Sequence, residues 1–252
     1  MDWRNYAGQH ALADFIPLEH EGARMLVRRG YEDAARLLVE RKTLPAVEML
    51  GGGRAAHPVV VLPTGEKAVV RRYHRGGLMQ RINAARYFGG NRAFDELRAT
   101  ERARAGGVRT ARILAAIESP HTVGYTAMLA TLLIPGATDA AQWLAAHEDD
   151  RDDMLRDAGR QVAAMHAAGV THPDVHLRNL LVAEKDGAPE VWLLDFDKAR
   201  VYPAPVTRAR RAVDLRRLAR SARKLHAGLG PDAWGAVQEG YGDAWPVGLI
   251  LG

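Results

Sequence analysis

His172-Pro173-Asp174-Val175-His176-Leu177-Arg178-Asn179 runs directly into the apolar Leu180-Leu181-Val182, and sixteen residues beyond Asn179 stands Asp195, inside Leu193-Leu194-Asp195-Phe196-Asp197. Taken alone, an Asp after a short apolar strand reads as a turn or cap residue, and an isolated His-x-Asp reads as a loop. Taken together they form an ordered set: an amphipathic helix, a loop bearing His-x-Asp-x-x-x-x-Asn, and then a strand that ends in Asp-Phe-Asp.

The residue types in this set match one chemistry. Phosphoryl transfer needs a carboxylate that orients an acceptor hydroxyl and takes its proton. It needs oxygen ligands for Mg²⁺, and cationic or amide donors for the charge of the group in transit. Asp174 can be the base. Asn179 and Asp195 supply hard oxygens that suit Mg²⁺. Asp195 follows an apolar strand, a rigid support.

Working outward, the second half reads as mainly helical. Residues 152–168 place Leu155, Ala158, Val162 and Met165 on one stripe and stop at Gly169. Residues 191–194 are a short buried strand, and 214–225 form a helix with Leu215, Leu218, Ala222 and Leu225 on one face. The first half is β-rich. Segments 44–50, 57–62 and 67–73 read as three antiparallel strands, followed by a helix over 93–105 and strands over 112–117 and 124–133. The first forty residues are the least legible, apart from an amphipathic helix over 32–42. The expected division is an extension over 1–43 that packs on the β-rich lobe or helps dock a membrane, a β-rich lobe over 44–135 and a helical lobe over 136–252, with one catalytic domain overall.

Composition narrows the field. With no cysteine, disulfides, thiolate metal sites and cysteine nucleophiles are all excluded. The first ten residues lack a basic start followed by an apolar run, and the longest mainly apolar stretch, 128–135, is too short to span a bilayer. A soluble or peripheral protein is expected. The net charge of +5 favours an anionic partner. Lys198, Arg200, Arg208, Arg210, Arg211, Arg216, Arg217, Arg220, Arg223 and Lys224 crowd the stretch after Asp195. They read either as a solvated face or as a surface for an anionic acceptor or membrane. Aromatic residues are not interleaved with them, which argues against nucleic acid.

HPDVHLRN followed by LLDFD resembles the catalytic and metal-binding loops of the protein-kinase-like superfamily, in the form used by its small-molecule branches. RRYHRGGL at 71–78, LIPGA at 133–137, GVTHPDVHLRNLLV at 169–182, VWLLDFDKAR at 191–200 and DLRRLARSARKL at 214–225 are similar to the 3-deoxy-D-manno-octulosonic acid (Kdo) kinases and their lipopolysaccharide-kinase relatives. The resemblance spans roughly 44–225. It implies an α+β, bilobal protein-kinase-like fold and transfer of phosphate from ATP, with Mg²⁺, to a sugar hydroxyl. The implied acceptor is Kdo on lipid A, at the cytoplasmic face of an inner membrane. A core-heptose kinase, another small-molecule kinase and a nucleotide-binding pseudokinase remain open alternatives.

Carried over residue by residue, the resemblance makes Asp174 the base, His172 the brace of its loop, and Asn179 and Asp195 the Mg²⁺ ligands. It places Gly51, Gly52 and Gly53 over the nucleotide phosphates, where backbone without Cβ approaches closely. Arg71 stands where a Lys is usual, with Lys67 on the same strand face, and Glu96 is its expected ion-pair partner, Glu101 the fallback. Leu132 and Ile134 offer backbone groups to adenine, and Asp214 braces the catalytic loop. Asp197 departs from the usual Gly and Pro173 from the usual Arg. Only 18 residues separate Asp195 from Asp214, too few for a long activation segment. That argues against a protein substrate.

Overall fold

The computed structural model describes residues 3–6, 10–40, 44, 46–50, 56–73, 92–122, 124–225 and 229–251. Its contacts fall into two compact units. The first comprises Met1–Arg98 and Arg112–Leu133, and the second Ala99–Ala111 and Ile134–Gly252.

The first unit is built on a seven-stranded antiparallel sheet. Its strands are β1 (Phe15–His20), β2 (Ala23–Arg28), β3 (Ala46–Leu50), β4 (His57–Val61), β5 (Lys67–Arg72), β6 (Ile113–Pro120) and β7 (Tyr125–Leu132), in the order β1-β2-β6-β7-β5-β4-β3. Side chains alternate between the two faces, so the sheet builds two cores. Leu26, Ala116 and Leu129 pack with Phe94 and Leu97 of helix α2 (Arg92–Ala105) and with Trp3 and Leu12. Met25, Val27, Val70, Ala115 and Ile117 pack on the other face with Ala34 and Ala35 of helix α1 (Glu32–Glu40).

Segment 1–43, read from the sequence as an extension, thus supplies two strands of the sheet. The β1–β2 hairpin turns on Glu21 and Gly22, both in the left-handed region at φ 47° and 75°. A two-residue hairpin of this hand usually carries Asn-Gly or Asp-Gly. Glu in the first place hides the turn.

The second unit contains α3 (Ala140–Ala146), α4 (Arg151–Ala167), α5 (Arg208–Lys224) and α6 (Pro231–Tyr241). It also carries five short strands: β8 (Thr138–Asp139), β9 (Val170–Thr171), β10 (Leu180–Lys185), β11 (Ala188–Leu193) and β12 (Arg200–Val201). They form a sheet ordered β11-β10-β8 and a β12-β9 pair. Asp139 caps α3, its carboxylate accepting the amides of Ala141 and Gln142 at 3.0 Å each. Helices α4 and α6 pack closely where Gly159 faces Val237 and Gly240 faces Arg156; a Cβ on either glycine would run into the opposite backbone.

Ala99–Ala111 groups with the second unit, although the sequence placed it in the first lobe. Ala99, Ala103 and Val108 are buried in the second unit's core. Arg109 adds polar ties, its amide donating to Gln161 at 2.7 Å and its carbonyl accepting from Leu193 at 2.9 Å. Helix α5 begins at Arg208, six residues before the expected start, because Arg208–Lys224 holds good helix formers throughout. Asp214 is therefore a buried mid-helix residue rather than the first residue of the helix. No helix among the described residues is long and apolar enough to cross a membrane.

Candidate active site

In the second unit, the loop after β9 and the loop after β11 are stitched together through one residue. Leu194 donates its amide to the Asn179 carbonyl at 2.9 Å, and its own carbonyl accepts Nε2–H of His172 at 2.8 Å. The residue next to Leu194 is Asp195. Both main-chain groups before Asp195 are thus held by the loop that bears Asp174 and Asn179, which sets the three polar side chains in one fixed frame. Asp195 itself takes φ 63°, a left-handed conformation that Asp tolerates better than most side chains. Phe196 is buried and tilts against the His172 ring, centroids 5.0 Å apart.

His172 is buried, and burial draws its pKa down, so the imidazole is neutral at ordinary pH. With Nε2–H given to Leu194, its Nδ1 is a bare acceptor and has no hydrogen-bond partner among the described residues. The ring is a strut between two loops.

Beneath it lies a buried polar chain. The His172 amide donates to Asp214 Oδ2 at 2.8 Å, His166 Nε2–H donates to the same oxygen at 3.3 Å, and Arg217 reaches Oδ1 at 2.9 Å. The Tyr241 hydroxyl donates to His166 Nδ1 at 2.7 Å. Burial works against the charged form of Asp214, and the hydrogen bonds from His166 and His172 outweigh it, leaving the carboxyl below its ordinary value. Burial lowers the pKa of His166 and pushes Tyr241 up to about 12. The chain therefore runs neutral tyrosine, neutral histidine, carboxylate, backbone amide. His166 and Tyr241 escaped the sequence reading, because neither stands in a motif and their partners lie 48 and 75 residues from His166.

Asp174 is half-exposed. Its Oδ2 accepts a hydrogen bond from Lys198 Nζ at 2.7 Å, and that bond first of all holds its carboxyl below the usual value. The Asp174 carbonyl accepts Nδ2–H of Asn179 at 3.0 Å. Because a carbonyl can only accept, this bond orients the amide and leaves Asn179 Oδ1 as the atom able to coordinate a cation. Asn179 Oδ1 and the half-exposed Asp195 carboxylate are a hard-oxygen pair. That donor set fits Mg²⁺, which keeps several waters and asks for few protein ligands.

In the first unit, Arg71 of β5 meets Glu96 of α2 through a forked contact, Nη2 lying 2.7 Å from Oε1 and 2.6 Å from Oε2. Glu96 is buried and also accepts the Tyr73 hydroxyl. Burial raises the Tyr73 pKa well above its ordinary value. Glu101, the other candidate acid, pairs with Arg104 instead, at 3.4 Å. Leu132 closes β7 with its amide donated to the Arg112 carbonyl at 2.9 Å, so that amide is committed inside the sheet. Ile134 opens the second unit and its carbonyl accepts from the Ala137 amide at 3.5 Å. Gly51, Gly52 and Gly53 lie outside the described residues, as do Arg75, Gly76, Gly77 and Arg81.

Comparison with known proteins gives the fold and the family. A solved structure described as WaaP in complex with acyl carrier protein superposes with a TM-score of 0.60 at 17% identity, covering 86% of this chain and 88% of that one. The fold is thus kinase-like. A 3-deoxy-D-manno-octulosonic acid kinase of Actinobacillus succinogenes is 31% identical over 70% of this chain and 76% of its own length. The enzyme of the same name from Xylella fastidiosa is 30% identical over 78% of this chain and 79% of its own. Residues 50–241, more than half of the sequence and including the loops that carry Asp174, Asn179 and Asp195, match one family, and the chain belongs to it: the lipopolysaccharide kinase (Kdo/WaaP) family.

Proposed function

We propose that this kinase transfers the γ-phosphoryl group of ATP to a hydroxyl of Kdo carried on a lipid A precursor. The observation that carries the reading is the double tie on Leu194, which fixes Asp195 against the loop of Asp174 and Asn179. Such a frame suits a reaction in which positioning and charge stabilisation do most of the work.

Asp174, ionised at neutral pH, accepts a hydrogen bond from the acceptor hydroxyl and takes its proton as the oxygen attacks phosphorus. Asn179 and Asp195 would hold Mg²⁺, which supplies charge neutralisation for the phosphate oxygens. In the first unit Arg71, fixed by Glu96, stands in place of the usual phosphate-binding Lys. His172 and Asp214 hold the loop and touch no reactant.

An acceptor that carries phosphates and a carboxylate also suits the exposed face of α5, where Arg208, Arg210, Arg216 and Arg220 point to solvent around Val213. Near the start of that helix, Arg211 holds the Ala244 carbonyl at 3.1 Å. The segment beyond it exposes Val247 and Ile250 while burying Leu249 and Leu251. Peripheral contact with an anionic membrane is part of this proposal, supported by the pairing of arginines and solvent-facing aliphatic residues. Sedimentation with vesicles tests it: binding to anionic vesicles that weakens with salt supports the contact, and equal binding to zwitterionic ones counts against it.

The reading as a whole is tested by supplying labelled ATP, Mg²⁺ and a panel of Kdo–lipid A, free Kdo and heptose-bearing core. Label on Kdo–lipid A alone is the expected result. Label on heptose alone moves the assignment to a core kinase. ATP binding without transfer to any acceptor indicates a nucleotide-binding protein without catalysis.

A further inference from the structure

Lys198 lies three residues after Asp195. Its main chain is anchored: Phe196 beside it is buried, and the Ala199 amide closes a turn onto the Phe196 carbonyl at 2.9 Å. Its side chain is 63% exposed, yet Nζ sits 2.7 Å from Asp174 Oδ2, on the carboxylate that is to receive the substrate's proton. The Asp174 hydrogen bond raises the Lys198 pKa, with Asp197 and Asp195 adding to the effect, so the group is a fixed cation.

An ion pair this open to water contributes little to stability. Breaking it costs correspondingly little, as a residue that changes partner during turnover requires. The lysine stem is flexible, and its ammonium is a compact point charge with three donors.

We propose that Lys198 is a catalytic residue: its ammonium pairs with Asp174 in the free enzyme and donates to the oxygens of the phosphoryl group during transfer. The charge accounting favours this exchange. The acceptor O–H bond breaks and its proton passes to Asp174. The freed oxygen forms a bond to γ-phosphorus. The bond from γ-phosphorus to the bridging oxygen breaks, and its electron pair leaves on ADP. Lys198 keeps its three protons throughout. As Asp174 gains a proton it loses its hold on the ammonium, while the phosphoryl oxygens present negative charge. The cation thus moves to the developing charge in the step that needs it. The 2.7 Å contact of Nζ with Oδ2 matches the two charges in the free enzyme.

This assignment rests on the proposed phosphoryl transfer, and two readouts separate the two ideas. The first compares native protein, Lys198→Met and Lys198→Arg in steady-state transfer. Lys198→Met should lower kcat by about a hundredfold or more, in line with loss of one donor to the developing charge. KM for ATP should stay near native, and Lys198→Arg should recover part of the rate. The second readout needs no acceptor: binding of ADP with and without aluminium fluoride, which mimics the phosphoryl group in flight. Native protein should bind the fluoride complex more tightly than ADP, and Lys198→Met should lose that gain while binding ADP as before.

Native kcat in Lys198→Met, or an undiminished fluoride gain, overturns the role of Lys198 and leaves the kinase reading standing. An absent fluoride gain in the native protein overturns it as well. Failure of native protein to phosphorylate any acceptor defeats the acceptor reading, and the fluoride measurement still decides Lys198.

Discussion

Glu118 offers the sharpest test of the energetics. It lies on β6 with its side chain fully buried, opposite Arg24 of β2 in register. Oε1 accepts the Ala93 amide at the start of α2, 3.2 Å away, and Oε2 has no hydrogen-bond partner among the described residues. Burial, only partly offset by the Ala93 amide and the Arg24 charge, pushes its pKa from 4.5 to about 7. A folded value above the unfolded one means that the native state holds the proton more tightly. Stability is then highest below the unfolded value and falls as pH climbs through about 7. At about 1.4 kcal/mol per unit, the full shift corresponds to about 3 kcal/mol. Glu118→Gln keeps the acceptor for Ala93 and removes the charge. Urea unfolding of native and variant should differ by less than about 1 kcal/mol at pH 5 and by about 2–3 kcal/mol at pH 8, the variant being more stable. The difference is the right observable, because buried neutral His166 and His172 push the native curve the opposite way, adding stability as pH rises through their ordinary value. A difference that stays flat from pH 5 to pH 8 would refute the reasoning and mean that Glu118 is ionised in the fold.

Substitutions at three further positions probe other parts of the account. Arg71→Met removes the forked partner of buried Glu96 and should cost about 3 kcal/mol in urea unfolding while weakening ATP binding; Arg71→Lys should restore most of the stability. Asp214→Ala takes the acceptor from the His172 amide, His166 and Arg217, and should cost about 3–5 kcal/mol with faster hydrogen exchange at the His172 amide. Gly240→Ala drives a methyl into the Arg156 carbonyl between α4 and α6, and should cost about 1–3 kcal/mol by the same unfolding assay.

The proposed catalytic loop stands out in the sequence because phosphoryl-transfer chemistry calls for particular residue types at short spacings, as at His172, Asp174, Asn179 and Asp195. The strands flanking Pro63-Thr64-Gly65 were legible for a similar local reason: alternating apolar residues meet a turn in which Gly65 takes φ 84°. The β10–β11 hairpin carries Asp186-Gly187, both at positive φ, a strong local signal that the reading of 191–194 as a lone strand passed over. The β1–β2 turn gave no such signal, since Glu21 occupies the place usually held by Asn or Asp. Long-range partners were not legible at all. Trp3 stacks with Phe94, centroids 5.9 Å apart, and no local pattern links residues so distant in the chain. The same holds within the site. Lys198 appeared only as one of ten cations in a basic stretch, and its place on Asp174 emerges from the turn at Phe196–Ala199. The start of α5 was missed because its first residues are charged and carry no apolar stripe, although their helix propensity is high.

The most direct test of the central claim is single-turnover transfer of the labelled γ-phosphate of ATP to Kdo–lipid A, with native protein beside Asp174→Asn. Loss of the base should slow transfer by about 10²–10⁴-fold while ATP affinity and unfolding stay near native, since Asp174 is half-exposed and its ion pair adds little stability. Transfer by Asp174→Asn at the native rate would contradict the account.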